Sequence, residues 1–221
     1  MCDRFVLVED PQMGERFNLK LSPSYDYRPN YNVAPGQYAP VITPAGLEHM
    51  HWGLVPRRVK DSGRLGSTMI NVRAETVVEK PTYRRLLERH RCLVPANGFY
   101  EWLKVDGPRA KVPYYFKLGS GKYMAFAGLY EVRKDAEGQD VKSFTIITTE
   151  ANELVAKVHD RMPVILLHET EEIWLDPNVT EPAEVLPLLR PYPAIAMAGY
   201  EVGPAVGSRR NNGPELIKPV T

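Results

Sequence analysis

Proline limits what this chain can fold into. The 221 residues include 20 prolines, nearly twice the average share of about 5%. Proline lacks a backbone N–H and clashes with the preceding helical turn, so a chain this rich in proline forms few long helices. Many turns and short strands are the expected consequence.

Strand-like segments outnumber helical ones and follow one another in runs. Strands are predicted over 38–43, 47–54, 69–72, 91–94, 98–104, 114–118, 123–131, 143–148, 162–166 and 194–201, and short helices after Asp10-Pro11 and over 82–90, 152–157, 169–175 and 181–189. Segment 123–130 is apolar on both faces, which indicates a central strand. We therefore expect an α+β fold with a strongly curved antiparallel β-barrel-like core flanked by short helices. No repeat or long linker divides the chain, so one domain over residues 1–221 is expected.

Charge and cysteine usage restrict the classes of function. The net charge of +1 excludes a general polycation, so any nucleic-acid site must come from local clustering. Basic clusters occur at Arg57, Arg58, Lys60 and Arg64, at 84–91, and at Arg209 and Arg210; we interpret the helical run 84–91 as a solvated face. The chain has two cysteines, no signal peptide and no membrane-length apolar run, and Cys92 in an apolar run is predicted to be a buried small hydrophobe. These features predict a reducing, cytoplasmic location and no membrane partner.

Cys2 follows the initiator methionine. Removal of Met1 would give one residue a free α-amine and a thiol, with reference pKa values of about 8 and about 8.5. The amine can form an imine with an aldehyde, and the thiol can then close a thiazolidine ring on the imine carbon. Position alone, however, favours the simpler interpretation that Cys2 is just a small residue in second place.

Two further residues are suited to proton transfer. Glu101 shares a strand face with Phe99 and Leu103, and a carboxyl among apolar groups can act as an acid or base near neutrality; a salt bridge to an arginine is the open alternative. His159 is the side-chain type that titrates nearest to neutral pH. A hydrogen-bonded structural histidine is the alternative there.

Asn71 and Arg73 form a third group, which is suited to binding a phosphate or a sugar. They lie two residues apart, and if segment 70–76 is extended, an amide and a guanidinium point to one side. A structural Arg73–Glu75 pair is the alternative. His49 and His51 also share a strand face, but no third ligand accompanies them, so we expect no metal site and no cofactor.

Taken together, these segments resemble the SRAP family of abasic-site-processing proteins, also called SOS-response-associated peptidases. The matching segments are 1–5 (MCDRF), 31–36 (YNVAPG), 52–56 (WGLVP), 70–76 (INVRAET), 91–95 (RCLVP), 98–102 (GFYEW), 159–163 (HDRMP) and 211–217 (NNGPELI). They recur in the family's order across the whole chain.

The resemblance implies capture of abasic sites in single-stranded DNA and at single-strand/duplex junctions, by a monomer, through a covalent link to Cys2. By analogy, Asn71 would orient the N-terminus, Glu101 would handle protons, and His159 would open the abasic sugar. The implied DNA contacts are Arg4, Pro35, Trp52, Arg73 and Arg161. The family's peptidase label would describe removal of Met1.

The chain departs from the family in two places. Asp3 stands where the family usually has glycine, and its charge would oppose DNA phosphate; we expect weaker capture than in an Asp3→Gly variant, with the gap shrinking as salt rises. Arg57 and Arg58 follow Pro56, where bacterial relatives often carry tryptophans. Arginine can stack on a base and contact phosphate, which predicts a larger electrostatic share of binding.

Two other hypotheses about function are compatible with the sequence. An N-terminal-nucleophile amidohydrolase also begins with cysteine and uses its thiol as the nucleophile, but that class has two stacked sheets between helical layers, for which this chain has few helical segments. A non-catalytic single-stranded DNA binder, disabled by Asp3, would bind DNA without forming an adduct.

Overall fold

The computed structural model describes residues 2–26, 28–56, 69–106 and 111–220. The strands, in chain order, are β1 (Phe5–Leu7), β2 (Asn30–Val33), β3 (Tyr38–Thr43), β4 (Gly46–Trp52), β5 (Asn71–Arg73), β6 (Arg91–Ala96), β7 (Gly98–Lys104), β8 (Lys111–Leu118), β9 (Met124–Lys134), β10 (Asp140–Glu150), β11 (Arg161–Pro163) and β12 (Met197–Glu201). Every strand predicted from the sequence is present, with ends shifted by a few residues. Two short strands, β1 and β2, were not predicted.

The helices are short, as the proline content predicts. They are α1 (Pro11–Arg16), α2 (Pro81–Arg89), α3 (Glu171–Leu175) and α4 (Pro182–Val185), with 3₁₀ turns at Ala74–Thr76, Val155–Lys157, His168–Thr170, Leu186–Leu188, Ala194–Ala196, Pro204–Gly207 and Pro214–Ile217. The Asp10 side chain accepts a hydrogen bond from the Met13 N–H at the start of α1, which confirms the predicted helix entry. The predicted helix over 152–157 is a single 3₁₀ turn.

Five strands close into a barrel in the order β10-β4-β3-β6-β9, because β9 pairs with both β6 and β10. The expected curved barrel-like core is thus confirmed, as is the central position of β9. The expectation of antiparallel pairing fails at β10, which runs parallel to both β4 and β5.

A second sheet, in the order β12-β8-β7-β1-β2, packs against the barrel. Phe5 of β1 makes the central contact, with ring centroids 5.1 Å from Trp52 and 6.0 Å from Phe126 of the barrel. All three side chains are fully buried. Because β1 is fixed on the barrel this way, the residues just before it are held at the junction of the two sheets.

A tight turn between β2 and β3 contacts the same region. The Gln37 N–H donates to Ala34 O at 3.1 Å, and Gly36 has φ +89°, the geometry of a type II turn with Pro35 and Gly36 at its centre. The Gly36 N–H also donates to Trp52 O at 2.9 Å, so the turn is fixed to the end of β4. Among the described residues, no helix has the length and apolar character needed to cross a membrane.

Candidate active site around Cys2

Cys2 is fully buried at the entrance to β1. Its carbonyl oxygen accepts a hydrogen bond of 2.7 Å from the Asn71 side-chain amide. Asn71 opens β5, which is held beside Ile146 of β10. The barrel therefore presents an amide donor to the chain start, and we call the group Cys2, Asn71, Glu101 and His159 the Cys2 site.

Glu101 lies on β7, beside β1, and only 3% of its side chain is exposed. Burial, with a smaller contribution from the Asp3 carboxylate, raises the pKa of Glu101 to about 8. The carboxyl is therefore mostly protonated at neutral pH and can donate a proton there. The open alternative, a salt bridge to arginine, is not seen in the described part of the chain.

His159 faces Glu101 across the site, with Nε2 3.9 Å from Glu101 Oε2. The backbone N–H of Arg161 donates to His159 Nδ1 at 3.0 Å. Asp160 Oδ1 lies 2.9 Å from the same nitrogen, but a carboxylate can only accept and would need a hydrogen on Nδ1, whereas the Arg161 N–H needs the Nδ1 lone pair. The exposed Asp160 carboxylate can instead be solvated by water. Nδ1 is then the acceptor, which leaves the ring hydrogen on Nε2, facing Glu101. Burial lowers the pKa of His159, so the ring is neutral at pH 7.

The Cys2 thiol is kept protonated by its surroundings. Burial raises its pKa well above the usual value, and the Glu101 and Asp3 carboxylates raise it further. Sγ contacts Arg4 O at 4.0 Å. A thiol held neutral is a poor first nucleophile, so the α-amine of a processed Cys2 would be the group that attacks first.

Asp3 stands at the edge of the Cys2 site. Its side chain is half-buried, and Oδ1 has no hydrogen-bond partner among the described residues. Its φ is not in the positive range, since Asn18 is the one non-glycine residue of the described chain with positive φ. Aspartate therefore fits this position without backbone strain, and its effect is one of charge.

The arginines expected at DNA have different surroundings. Arg73 is exposed and forms no ion pair among the described residues. Arg161 makes a bidentate pair with Glu75, at 2.7 and 2.9 Å, and also donates to Thr148 O at 2.8 Å. Glu75 thus pairs with Arg161 rather than forming the Arg73–Glu75 pair considered above. In the sequence Arg73 lies two residues from Glu75 and Arg161 lies 86 residues away, so local spacing pointed to the wrong partner.

Three other residues expected at DNA are largely enclosed. The Arg4 guanidinium is buried and bonded within the protein. Pro35 is buried in its turn. Trp52 is fully buried, donates its indole N–H to Ile70 O at 3.0 Å and stacks on Phe144 at 6.2 Å. Pro35 and Trp52 can shape the site through the turn and the barrel wall.

The other sequence predictions have mixed outcomes in the structure. The solvated-face prediction for 84–91 holds for Arg84, which pairs with Glu88 at the surface, but is wrong for Arg91, whose buried guanidinium caps carbonyls of α2 and of the α3 end. Cys92 is buried and, like Cys2, not disulfide-bonded, as predicted. The described residues contain no cluster of three potential metal ligands. The Arg57, Arg58, Lys60 and Arg64 cluster lies outside them.

Comparison with known proteins gives one family. Residues 1–209 match the model of the family described as SOS response associated peptidase (SRAP). The abasic site processing protein YoqW of Bacillus subtilis is 46% identical over 99% of both chains, and the abasic site processing protein HMCES of Rattus norvegicus is 28% identical over 87% of this chain and 65% of its own. A crystal structure of a Bacteroides thetaiotaomicron protein superposes with a TM-score of 0.87 at 27% identity over the whole of both chains.

Proposed function

The chain belongs to the SOS response associated peptidase (SRAP) family, and we propose that it processes abasic sites in DNA by covalent capture through Cys2. Relatives matching nearly the whole chain are named abasic site processing proteins. The observation that carries the proposal is the buried Glu101 carboxyl in the same site as Cys2, 3.9 Å from His159 Nε2, where burial raises its pKa to about 8. A proton donor of that strength suits imine formation at neutral pH.

The chemistry begins with removal of Met1, which frees the α-amine of Cys2. Whether the chain cleaves itself or a methionine aminopeptidase acts, the product is the same amine. The Asn71 amide, 2.7 Å from Cys2 O, then fixes the plane of the first peptide group. That contact orients the amine without consuming its lone pair.

Capture follows in balanced steps. An abasic sugar is mostly a closed hemiacetal, and proton transfer from the Glu101–His159 pair opens it to the aldehyde. The amine attacks the aldehyde carbon, and one of its protons moves to the carbonyl oxygen. Protonated Glu101 then donates its proton to the departing hydroxyl and takes up the second nitrogen proton, so that water leaves and an imine forms. Sγ then adds to the imine carbon while the thiol proton moves to the imine nitrogen, closing a thiazolidine.

The buried thiol accounts for that order of events. Because the pKa of Cys2 is raised, little thiolate exists to attack before the imine carbon appears. Ring closure removes the imine that would otherwise promote strand cleavage by β-elimination. The product shields the DNA strand, which is a role in DNA-damage repair, and reversal would return the proton through the same Glu101–His159 pair.

DNA binding is assigned first to Arg73, whose exposed guanidinium is free of ion pairs in the described structure. Arg161 can join it if phosphate displaces Glu75, because phosphate offers the same bidentate geometry as a carboxylate. Single-stranded DNA and its junctions with duplex are the proposed partners, bound by a monomer in the cytoplasm.

The amidohydrolase alternative disagrees with both the fold and the site. Its two stacked sheets between helical layers are replaced here by a five-stranded barrel with a second sheet. Its thiolate nucleophile is disfavoured by the burial and by the carboxylates around Cys2.

The test is incubation of the Met1-processed protein with a uracil-excised single-stranded oligonucleotide, followed by a denaturing gel and intact mass. We expect one adduct whose mass is that of protein plus oligonucleotide minus one water, and none with Cys2→Ala. An oligonucleotide carrying tetrahydrofuran, which has no aldehyde, is the matched control. Absence of added mass despite a processed N-terminus would refute the proposal, and DNA binding without an adduct would support the non-catalytic alternative.

A further inference from the structure

Arg4 is a buried cation held without a carboxylate. It is 7% exposed, and among the described residues it forms no ion pair within 4.0 Å. Its Nη1 donates to Asn32 Oδ1 at 2.9 Å and to Val206 O at 2.8 Å, and its Nη2 donates to Gly207 O at 3.4 Å. A guanidinium whose hydrogen-bond acceptors are all neutral is costly to bury. The nearby Asp3 carboxylate and the Trp102 ring, 5.8 Å from Cζ, offset part of that cost, and a functional role would explain why the rest is tolerated.

Asn32 is the residue that joins Arg4 to the C-terminal part of the chain. It is 1% exposed. While its Oδ1 accepts from Arg4, its Nδ2 lies 3.2, 3.0 and 3.0 Å from the carbonyl oxygens of Val206, Ser208 and Asn211. The Asn32 side-chain amide thus links β2, the residues just before β1 and segment 206–211 in one hydrogen-bond network.

This network ends two residues from the proposed nucleophile. The carbonyl of Arg4 accepts the Tyr100 N–H at 3.0 Å, which extends the β1–β7 pairing beyond Phe5↔Phe99 toward Glu101. The side chain of Arg4 is held by Asn32, and its backbone is held by the strand that carries Glu101. Arg4 is therefore held through both its side chain and its backbone, which restricts where Cys2 can lie.

Chain termini fray unless something ties them down. A terminal amine and thiol must nevertheless stay aligned with Glu101, and a displacement of about 1 Å can slow such a reaction by about a hundredfold. Asn71 holds Cys2 at its carbonyl oxygen. The next fixed point along the chain is β1, which begins at Phe5. Arg4 lies between these two points, so anchoring its side chain limits how the first residues can rotate.

We propose that Asn32 is a positioning residue for Cys2, acting through Arg4, and that segment 206–211 is the clamp that holds both. The proposal rests on the proposed capture by Cys2. It gives the far end of the chain a role in setting the reaction rate rather than the affinity for DNA.

Asn32→Asp distinguishes the bond of Asn32 to Arg4 from its bonds to segment 206–211. The substitution keeps the acceptor for Arg4 and the side-chain volume, but it places a carboxylate oxygen against the three carbonyl oxygens of segment 206–211. Asn212→Ala is the matched control: Asn212 lies in the same tail and accepts the Tyr31 N–H at 2.7 Å, without touching Arg4 or Asn32.

Two quantities are measured, well below the melting temperature of each protein. One is the first-order rate of adduct formation at saturating abasic DNA, and the other is Kd for tetrahydrofuran-containing DNA. For Asn32→Asp we expect a rate at least about tenfold lower with Kd within about twofold of wild type. Asn212→Ala should change neither quantity by more than about twofold.

An Asn32→Asp rate equal to that of wild type would overturn the proposal, as would a loss confined to Kd or to thermal stability. If Asn32→Asp does not fold, Arg4→Lys carries the same test, because an ammonium cannot span Asn32 and the 206–207 carbonyls together. A wild-type protein that forms no adduct would instead sink the proposed function, so the two failures are distinguishable.

Discussion

Cys2 and Cys92 are both fully buried, yet they lie in regions of opposite chemical character. Cys92 sits on β6 opposite Gly128, so close that a Cβ at Gly128 would lie 2.9 Å from its sulfur, and burial alone raises its pKa. Around Cys2, burial acts together with the Glu101 and Asp3 carboxylates, and an amide holds its carbonyl. Burial is therefore common to both cysteines, and the polar groups around Cys2, the proposed reactive residue, are what set it apart from Cys92.

Serine substitutions at Cys2 and Cys92 should have the largest and most clearly different effects. Cys2→Ser keeps the amine but loses the sulfur, so we expect no heat-stable adduct, while borohydride should still trap the imine and strand cleavage should appear. Cys92→Ser should retain the adduct and lose about 1–3 kcal/mol of stability, because a buried hydroxyl replaces a nearly apolar thiol. Denaturing gels and thermal unfolding measure the two effects. A stable adduct with Cys2→Ser would contradict the thiazolidine step.

Glu101→Gln tests the proton donor of the Cys2 site. At pH 7 we expect adduct formation to slow by about a hundredfold. In the wild type the rate should fall as pH rises through about 8, where Glu101 loses its proton, and this limb should be absent from the variant. The test is the rate of adduct formation by wild type and Glu101→Gln, measured between pH 6 and 9.5. An unchanged falling limb in Glu101→Gln would assign the titration to another group.

The same substitution should raise stability at alkaline pH. The pKa of Glu101 is about 8 in the folded protein against 4.5 for a free glutamate, so the folded state keeps a proton that the unfolded chain releases. Wild-type stability therefore falls as pH rises from 4.5 to 8. Glu101→Gln should melt higher than wild type at pH 8.5, with the difference vanishing near pH 4. An equal gap at both pH values would show that the carboxyl is not the cause.

Arg73 and Arg161 offer a second, milder contrast, between an exposed guanidinium and one paired with Glu75. Arg73→Gln should weaken single-stranded DNA binding and lower the salt slope by about one. Glu75→Gln should strengthen binding about twofold to fivefold at low salt, because Arg161 is released to phosphate. Fluorescence anisotropy over a salt series measures both. Weaker binding by Glu75→Gln would mean that the ion pair organises the surface rather than competing with DNA.

The smallest effect is expected at Asp3. Asp3→Gly removes a half-buried negative charge beside the Cys2 site, and we expect capture about threefold faster at low salt, with the advantage shrinking as salt rises. Asp3→Asn is the matched control for backbone freedom. Equal cross-linking by wild type, Asp3→Gly and Asp3→Asn at low salt would show that charge at position 3 does not affect capture.

Local patterns predicted most elements of this fold, because turns, strand alternation and helix caps depend on neighbouring residues. Asp10-Pro11 begins α1, and β7 spans the predicted 98–104. The strands β1 and β2 escaped prediction because they are only three and four residues long and exist through pairing with distant partners.

By itself, then, the sequence predicted a β-rich fold with short helices, and its family resemblance grouped Cys2 with Asn71, Glu101 and His159. Only the tertiary structure decided that β10 closes the barrel beside β4, some ninety residues away, that Glu75 pairs with Arg161, and that Arg4 and Trp52 are enclosed. The physical reason is the range of the interactions: backbone preferences act within a few residues, whereas the partner of a long charged side chain depends on which strands the topology makes neighbours.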